Sequence, residues 1–258
     1  MEAEIKLLLP SAEALRALAS RVGASGSRGV EQRNYFFDTS IGAVHALDCH
    51  IRLRHESDLD RGSGRWVLTL KGPKGTSGCA ALAVRPEEEM LVPDELAEAI
   101  TCGQTSPLDV LPKSALVEMV KSALAGDQLV LQEEQGFSNV RVHAPFELVP
   151  PSGAQPIVVT LELDTTTFSF RGVNEVHWEV ECELQDLVTG QSTAGASTDS
   201  GALEERAREV EAALQALLAA IPEIGAPCPA AKGKRSRHKA FLKTQKKEAK
   251  AKGKARHR

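Results

Sequence analysis

Polar and apolar residues alternate with period two along much of this chain. Glu2, Glu4 and Lys6 fall at i, i+2 and i+4, with Ile5, Leu7 and Leu9 in the other register. In a strand this pattern turns charge to one face and apolar side chains to the other. Arg52 and Arg54 alternate with Ile51 and Leu53, Glu162 and Asp164 with Leu161 and Leu163, and Glu179, Glu181 and Glu183 with Trp178 and Val180. The pattern predicts strands over Glu2–Leu9, Gln32–Thr39, Val44–Arg54, Arg65–Lys71 and Cys79–Val92. Further strands are expected over Leu129–Gln135, Val140–Leu148, Ile157–Asp164, Thr166–Phe170 and Val176–Leu184. Pro86 sits awkwardly inside the fifth of these and predicts an edge or bulge there.

Between the two β-rich halves the period changes. Asp94–Ile100 and Leu108–Leu124 have helical spacing, with Leu116, Met119, Val120, Ala123 and Leu124 forming an apolar stripe. A short helix is predicted after Ser11, a natural N-cap, and stops at Gly23. Another covers Gly201–Ile221 and ends at Pro222. The fold class expected is α+β, mainly β. A two-layer sandwich would place apolar residues inside. A closed antiparallel barrel with a polar lumen, its helices packed outside, is the simplest way to gather charge from all these strands. The same alternation also describes a one-sided sheet whose polar face is wet.

Charge sharpens this picture. The chain has 258 residues and a formal net charge of −4. From Lys232 onward stand 13 Lys or Arg and one acid, Glu248, so this end carries about +12 and the rest about −16. An acidic body repels polyanions, so an anion site within it requires a local concentration of cations. The five cysteines form no Cys-x-x-Cys pair, as expected of a reduced, cytoplasmic protein. The N-terminus does not read as a signal peptide, and no apolar run reaches the ~18 residues of a membrane span. The basic end leaves a nuclear address open.

The residues expected to share the inner face include the acids Glu2, Glu4, Glu87, Glu89, Glu162, Asp164, Glu179, Glu181 and Glu183. The cations are Lys6, Arg52, Arg54, Lys71, Arg85 and Arg141. Oxygen-only ligands suit Mg²⁺ or Mn²⁺ rather than zinc. Arg and Lys at strand spacing suit phosphate oxygens. Acids that hold metal beside cations that hold phosphate serve metal-assisted phosphoryl transfer. No P-loop, Gly-x-Gly-x-x-Gly or His-Glu-x-x-His motif occurs.

Taken in order, Glu2-Ala-Glu-Ile-Lys6, Gln32–Thr39, Ile51-Arg-Leu-Arg54, Leu68-Thr-Leu-Lys71, Arg85–Glu89, Asn139-Val-Arg141, Leu161-Glu-Leu-Asp164 and Trp178–Glu183 resemble the CYTH family, the triphosphate tunnel metalloenzymes. The resemblance runs to about Lys239 and is nearest to the plant-type, tripolyphosphatase-like branch. It implies an eight-stranded antiparallel tunnel that binds a triphosphate with divalent metal. By that resemblance Glu2, Glu4, Glu179 and Glu181 are metal-associated, and Glu87, Glu89, Glu162 and Asp164 line the acidic side. Lys6, Arg52, Arg54, Lys71 and Arg141 grip phosphates, with Arg85 beside them. Lys239, in Ser236–Phe241, resembles a C-terminal segment that plugs the tunnel and adds a cation. Three features depart from the pattern: Pro86, Asp164-Thr165-Thr166 where relatives carry Asp-Glu-Thr, and the basic extension past Lys243.

The expected organisation is a tunnel domain over residues 1–231 with a helical insert at about 93–126. A plug segment follows at 232–243, then a disordered basic tail at 244–258. The expected activity is hydrolysis of inorganic triphosphate to diphosphate and phosphate, with Glu2, Glu4 and Lys6 catalytic, by a monomer. The alternatives are hydrolysis of a nucleoside, thiamine or RNA 5′-triphosphate, an adenylate cyclase, or a non-catalytic polyphosphate- or RNA-binding module. Aromatics make up only 4% of the chain, which leaves little to stack on an organic group and favours the inorganic substrate. The basic tail is the place for nucleic-acid contact.

Overall fold

A computed structural model describes residues 2–75, 82–132, 136–153, 155–184, 200–225 and 228–255, with side chains described except at 2–3, 200, 202–203 and 250–255. The elements of the first half are β1 (Glu2–Leu9), α1 (Ala12–Arg21), β2 (Val30–Asp38), α2 (Ala43–Ala46), β3 (His50–Asp58), β4 (Gly64–Lys71), β5 (Leu82–Arg85) and β6 (Glu87–Val92). Then come α3 (Asp94–Thr101), α4 (Pro107–Val110), α5 (Ala115–Leu124), β7 (Val130–Leu131), β8 (Ser138–Leu148), β9 (Ile157–Phe170) and β10 (Val173–Glu183). Two helices complete the chain, α6 (Ser200–Ala219) and α7 (Lys234–Ala255).

The strands form one antiparallel sheet in the order β5-β1-β10-β9-β8-β2-β3-β4-β6, with β7 paired to β2 off that path. The sheet has ten strands, nine of them on a hydrogen-bonded path with two ends, where eight staves in a closed ring were expected. The ends are the two halves of one stretch of chain, β5 and β6, separated by Pro86. β5 pairs with β1, and β6 with β4. Beyond β4, the Gly72 and Gly75 amides donate to the Pro86 and Val84 carbonyls, at 2.8 and 2.9 Å. The continuation of β4 thus flanks β5 on the side away from β1 and brings the sheet round on itself. Pro86 lacks an amide to donate, and its carbonyl still accepts.

The far half of β1 is covered by the chain's C-terminal part. The Leu8 amide donates to the Pro229 carbonyl and the Ala231 amide to the Lys6 carbonyl, both at 2.9 Å. The chain then turns inward at Gly233 and begins α7.

Apolar residues lie on the outside of this ring, under helices. Ile5, Leu7, Leu161, Leu163 and Val180 pack with Leu18 of α1 and Val210 and Leu214 of α6. Ile51, Leu53, Leu68 and Leu70 pack with Ile100, Val117 and Val120 of the helical insert. Burying each such side chain stabilises the fold by about 1.5–3 kcal/mol. Trp178 packs against the first of these clusters and Trp66 against the second. A third cluster, Phe36, Phe137, Phe168, Phe241 and Leu242, closes one end of the ring around α7.

Some boundaries differ from expectation. Val44 belongs to the helical turn α2, not to a strand, because Asp38 accepts from the Thr39, Val44 and His45 amides and fixes that turn. Ile157–Phe170 is one 14-residue strand rather than two. Pro112 falls between α4 and α5, where one helix was expected. The expected strands reaching Cys79 and Gln135 fall partly outside the described residues. Where a disordered tail was expected, α7 runs to Ala255. Its Lys and Ala are strong helix formers, which favours a helix over a disordered tail.

Candidate active site

Each long strand turns alternate side chains into the ring, and cross-strand register decides which meet. Lys6 stands opposite Glu181 and Glu4 opposite Glu183. Glu179 faces Asp164 and Glu181 faces Glu162. Arg141 lies opposite Asp164, Arg52 opposite Thr69, and Lys71 opposite both His50 and Glu87. These side chains surround a cavity of about 1160 Å³. Eleven Lys or Arg and seven Glu line it, so its wall is net cationic within an acidic chain.

The two charges are unevenly spread. On β1, β8, β9 and β10 they are tightly paired. Arg141 donates to Asp164 through Nε at 2.9 Å and Nη2 at 2.6 Å, to Glu181 at 2.6 Å, and also pairs with Glu162. Lys6 Nζ lies 2.8 Å from Glu4 and 2.9 Å from Glu181. Burial would lower the Lys6 pKa, but Glu181, Glu4 and Glu179 outweigh it and hold the ammonium well above its ordinary value. Burial would raise Asp164, yet Arg141 and Lys234 bring it down to about 2. Glu181 is likewise held well below the usual carboxylate range, by Lys234, Lys6 and Arg141 against the effect of burial. Glu162 goes the other way: burial, with Glu181 and Asp164 nearby, outweighs Arg141 and pushes it up to about 8.

The wall formed by β3, β4 and β5 is looser. Lys71 is 3.5 Å from Glu87, and Arg54 is 3.7 Å from Glu89 and 2.8 Å from Glu56. Burial and the neighbouring Arg52 push the Arg54 guanidinium down to about 10. Arg85 reaches Asp48 at 3.5 Å and the Gly72 carbonyl at 3.2 Å. Among the described residues Arg52 hydrogen-bonds the Thr69 hydroxyl, at 3.5 Å, and its buried Nε has no partner. Arg52, beside the Arg54 guanidinium and without a carboxylate partner among the described residues, is therefore available to an anion.

Of the residues singled out from sequence, Glu4, Lys6, Arg52, Arg54, Lys71, Arg85, Glu87, Glu89, Arg141, Glu162 and Glu181 line this cavity. Asp164 and Glu179 lie behind it, fully buried. The Glu2 side chain lies outside the described residues. Lys239 is half-buried and is not among the residues that line the cavity; Arg235 and Asp38 are its charged neighbours. Lys234 instead enters the tunnel, 2.6 Å from Asp164 and 2.7 Å from Glu179, and also bonds Glu181. Arg237 donates to Glu179, and Arg235 to His50 Nδ1 at 2.7 Å. Glu56, Gln32 and Asn139 were also missed, although period two from Arg54 and Arg141 points to Glu56 and Asn139.

Asp164, Glu179 and Glu181 offer carboxylate oxygens within 4.8 Å of one another. This all-oxygen donor set fits a hard divalent cation such as Mg²⁺ or Mn²⁺.

The profile of the CYTH domain matches residues 1–198. Among solved structures, HpAC1 of Hippeastrum, an adenylyl cyclase candidate with a dominant triphosphatase activity, is 25% identical with a TM-score of 0.63. The match covers 93% of this chain and 96% of that one. An adenylate cyclase candidate of Bacillus halodurans shares the fold at 19% identity and a TM-score of 0.56, over 92% of this chain and 96% of its own. No curated protein sequence matches the chain.

Proposed function

The chain belongs to the CYTH family, and from that premise we propose that it is a metal-dependent triphosphatase that hydrolyses inorganic triphosphate to diphosphate and phosphate. The observation that carries this reading is Arg52, a guanidinium in the cavity wall with no carboxylate partner among the described residues. The similarity to HpAC1, which has a dominant triphosphatase activity, supports it.

Arg52 and Arg54 are two residues apart on one strand, about 6–7 Å along it. With Lys71 and Arg85 they form a row that contacts a linear triphosphate at successive points. Glu4 and Glu181, with Glu2 on the same strand as Glu4, would hold Mg²⁺ or Mn²⁺, with Glu87 and Glu89 on the facing wall. Such an ion, when bound, offsets phosphoryl charge and makes water a better nucleophile. A carboxylate not taken by the ion, Glu2 or Glu4, would orient and deprotonate the attacking water. Two of the three Lys6 donors are committed to Glu4 and Glu181, which leaves one for the phosphate where negative charge grows.

An organic triphosphate needs a seat for its base or ring. The aromatic residues on the cavity wall other than histidines are Phe36 and Phe137. Arg235 already covers the Phe36 ring at 4.9 Å, and Phe137 packs against Phe36 and Phe168. This favours the inorganic substrate. Phosphate release from tripolyphosphate, ATP, thiamine triphosphate and an RNA 5′-triphosphate, with Mg²⁺ or Mn²⁺, is the test. Tripolyphosphate is expected to lead in kcat/KM by at least about tenfold, or ~1.4 kcal/mol. A nucleotide preference, or a cyclic nucleotide product, would overturn it.

The basic end supports a second, separate contact. Lys243, Lys246 and Lys247 are exposed on α7, and the sequence continues at Lys250 and Lys254 with the same spacing of three or four residues. Such a stripe attracts nucleic-acid phosphates, and affinity should fall steeply with salt. Binding of a labelled duplex that survives deletion of residues after Lys243 would remove this contact from the account.

No helix among the described residues is long and apolar enough to cross a membrane.

A further inference from the structure

The deepest charges in the tunnel are balanced by a lysine from the far end of the chain. Asp164 and Glu179 are fully buried and Glu181 almost so. Lys234 bonds all three of these carboxylates. An ammonium has three donors and no fixed plane, which matches three carboxylates converging on one point. The position is built, not incidental. On one side, residues 229–231 are hydrogen-bonded to β1. On the other, Phe241 and Leu242 are buried among Phe36, Phe137 and Phe168.

The charge balance gives this lysine a consequence. Five acids, Glu4, Glu162, Asp164, Glu179 and Glu181, meet four cations, Lys6, Arg141, Lys234 and Arg237. Lys234 already supplies one positive charge to this group, so a divalent ion beside it would add two more. The two cations also exclude each other in space. An ion bound to carboxylates at about 2.0–2.1 Å would fall where the ammonium already lies within hydrogen-bonding distance of the same oxygens.

We propose that Lys234 supplies from within the chain the charge that a second divalent ion would otherwise bring to Asp164, Glu179 and Glu181. The tunnel then takes one ion, at the cavity-facing carboxylates, while the C-terminal segment is seated. Lys234 is thus a positioning residue: it sets how many ions bind and where. The inference rests on the metal dependence proposed above, and its test needs no turnover.

Equilibrium dialysis of the full chain against Mn²⁺, without substrate, is expected to give about one tightly bound ion per chain. Lys234→Gln should bind about two. The double change Lys234→Gln, Asp164→Asn should return to one, which places the added ion at the buried carboxylates. Two ions in the unaltered chain, or one ion at unchanged affinity in Lys234→Gln, would overturn the proposal. No ion in the unaltered chain would count against the metal dependence itself and remove the proposal with it. Should Lys234→Gln not fold, amide hydrogen exchange of the unaltered chain decides. Residues 234–242 are expected to stay protected at saturating Mn²⁺, and loss of that protection on metal binding would overturn the proposal.

Discussion

Replacing Arg52 by Gln separates the substrate-binding wall of the tunnel from its self-paired wall. In the free protein the side chain gives up one contact, 3.5 Å to the Thr69 hydroxyl. The change also relieves Arg54, whose guanidinium Arg52 helps push down to about 10. Losing one long polar contact costs at most ~1 kcal/mol, and losing a like-charge neighbour offsets part of it. For a chain of this size 1 kcal/mol moves the melting temperature by about 2–4 °C, so Tm should stay within roughly that range of the unaltered protein or rise. With triphosphate bound the balance reverses. A hydrogen bond to a charged group contributes about 1.5–3 kcal/mol, which at ~1.4 kcal/mol per tenfold is a drop in kcat/KM of about 10- to 150-fold. Phosphate release from tripolyphosphate, together with thermal melting with and without it, measures both. A Tm lowered by more than about 5 °C, or a kcat/KM within about threefold of the unaltered chain, would refute the reasoning.

Arg141→Met should behave in the opposite way, because it leaves Glu162, Asp164 and Glu181 buried without their shared guanidinium. A cost of about 3–5 kcal/mol, or a Tm lower by ~6–20 °C at neutral pH, is expected in thermal melts. An unchanged Tm contradicts it. Burial, with Arg235 and Arg85 beside it, pushes the His50 pKa down to about 3, so the folded protein holds His50 neutral where the unfolded chain protonates it. The stability that depends on this is complete above about pH 6.5 and is lost as pH falls towards 3, with a slope of up to ~1.4 kcal/mol per pH unit. Urea unfolding between pH 4 and 7 should show a shallower slope for His50→Gln, and parallel slopes would refute the assignment. In Gly72→Ala the new Cβ would stand 2.5 Å from Pro86 Cγ and 2.9 Å from Leu116 Cδ1, where β4 leads into the seam. Overpacking of this kind costs about 1–3 kcal/mol, read as a lower urea midpoint at unchanged m; a neutral result would mean that the seam yields.

Much of the tunnel was legible because strand periodicity is strict. A strand with one apolar face announces its other face, so Glu4, Lys6, Arg52, Arg54, Lys71, Arg141 and Glu181 could be assigned to charged strand faces, while the alternation alone left open whether those faces met in a lumen or faced water. Residues whose partners lie far along the chain were harder. Val44 looked like strand because nothing local shows Asp38 fixing a helical turn. The seam at Pro86 depends on amides of Gly72 and Gly75, which no pattern marks. Lys234 was passed over for Lys239 because both stand in a lysine-rich run without alternation. Only the pairing of residues 229–231 with β1 decides which lysine enters the tunnel.

The measurement closest to the central claim is a crystal structure of the chain with tripolyphosphate and Mn²⁺, the ions located by anomalous scattering. The account predicts phosphate oxygens against Arg52, Arg54 and Lys71 and manganese on cavity-facing carboxylates of the tunnel. Triphosphate bound outside the tunnel, or inside it without contact to Arg52, would contradict it.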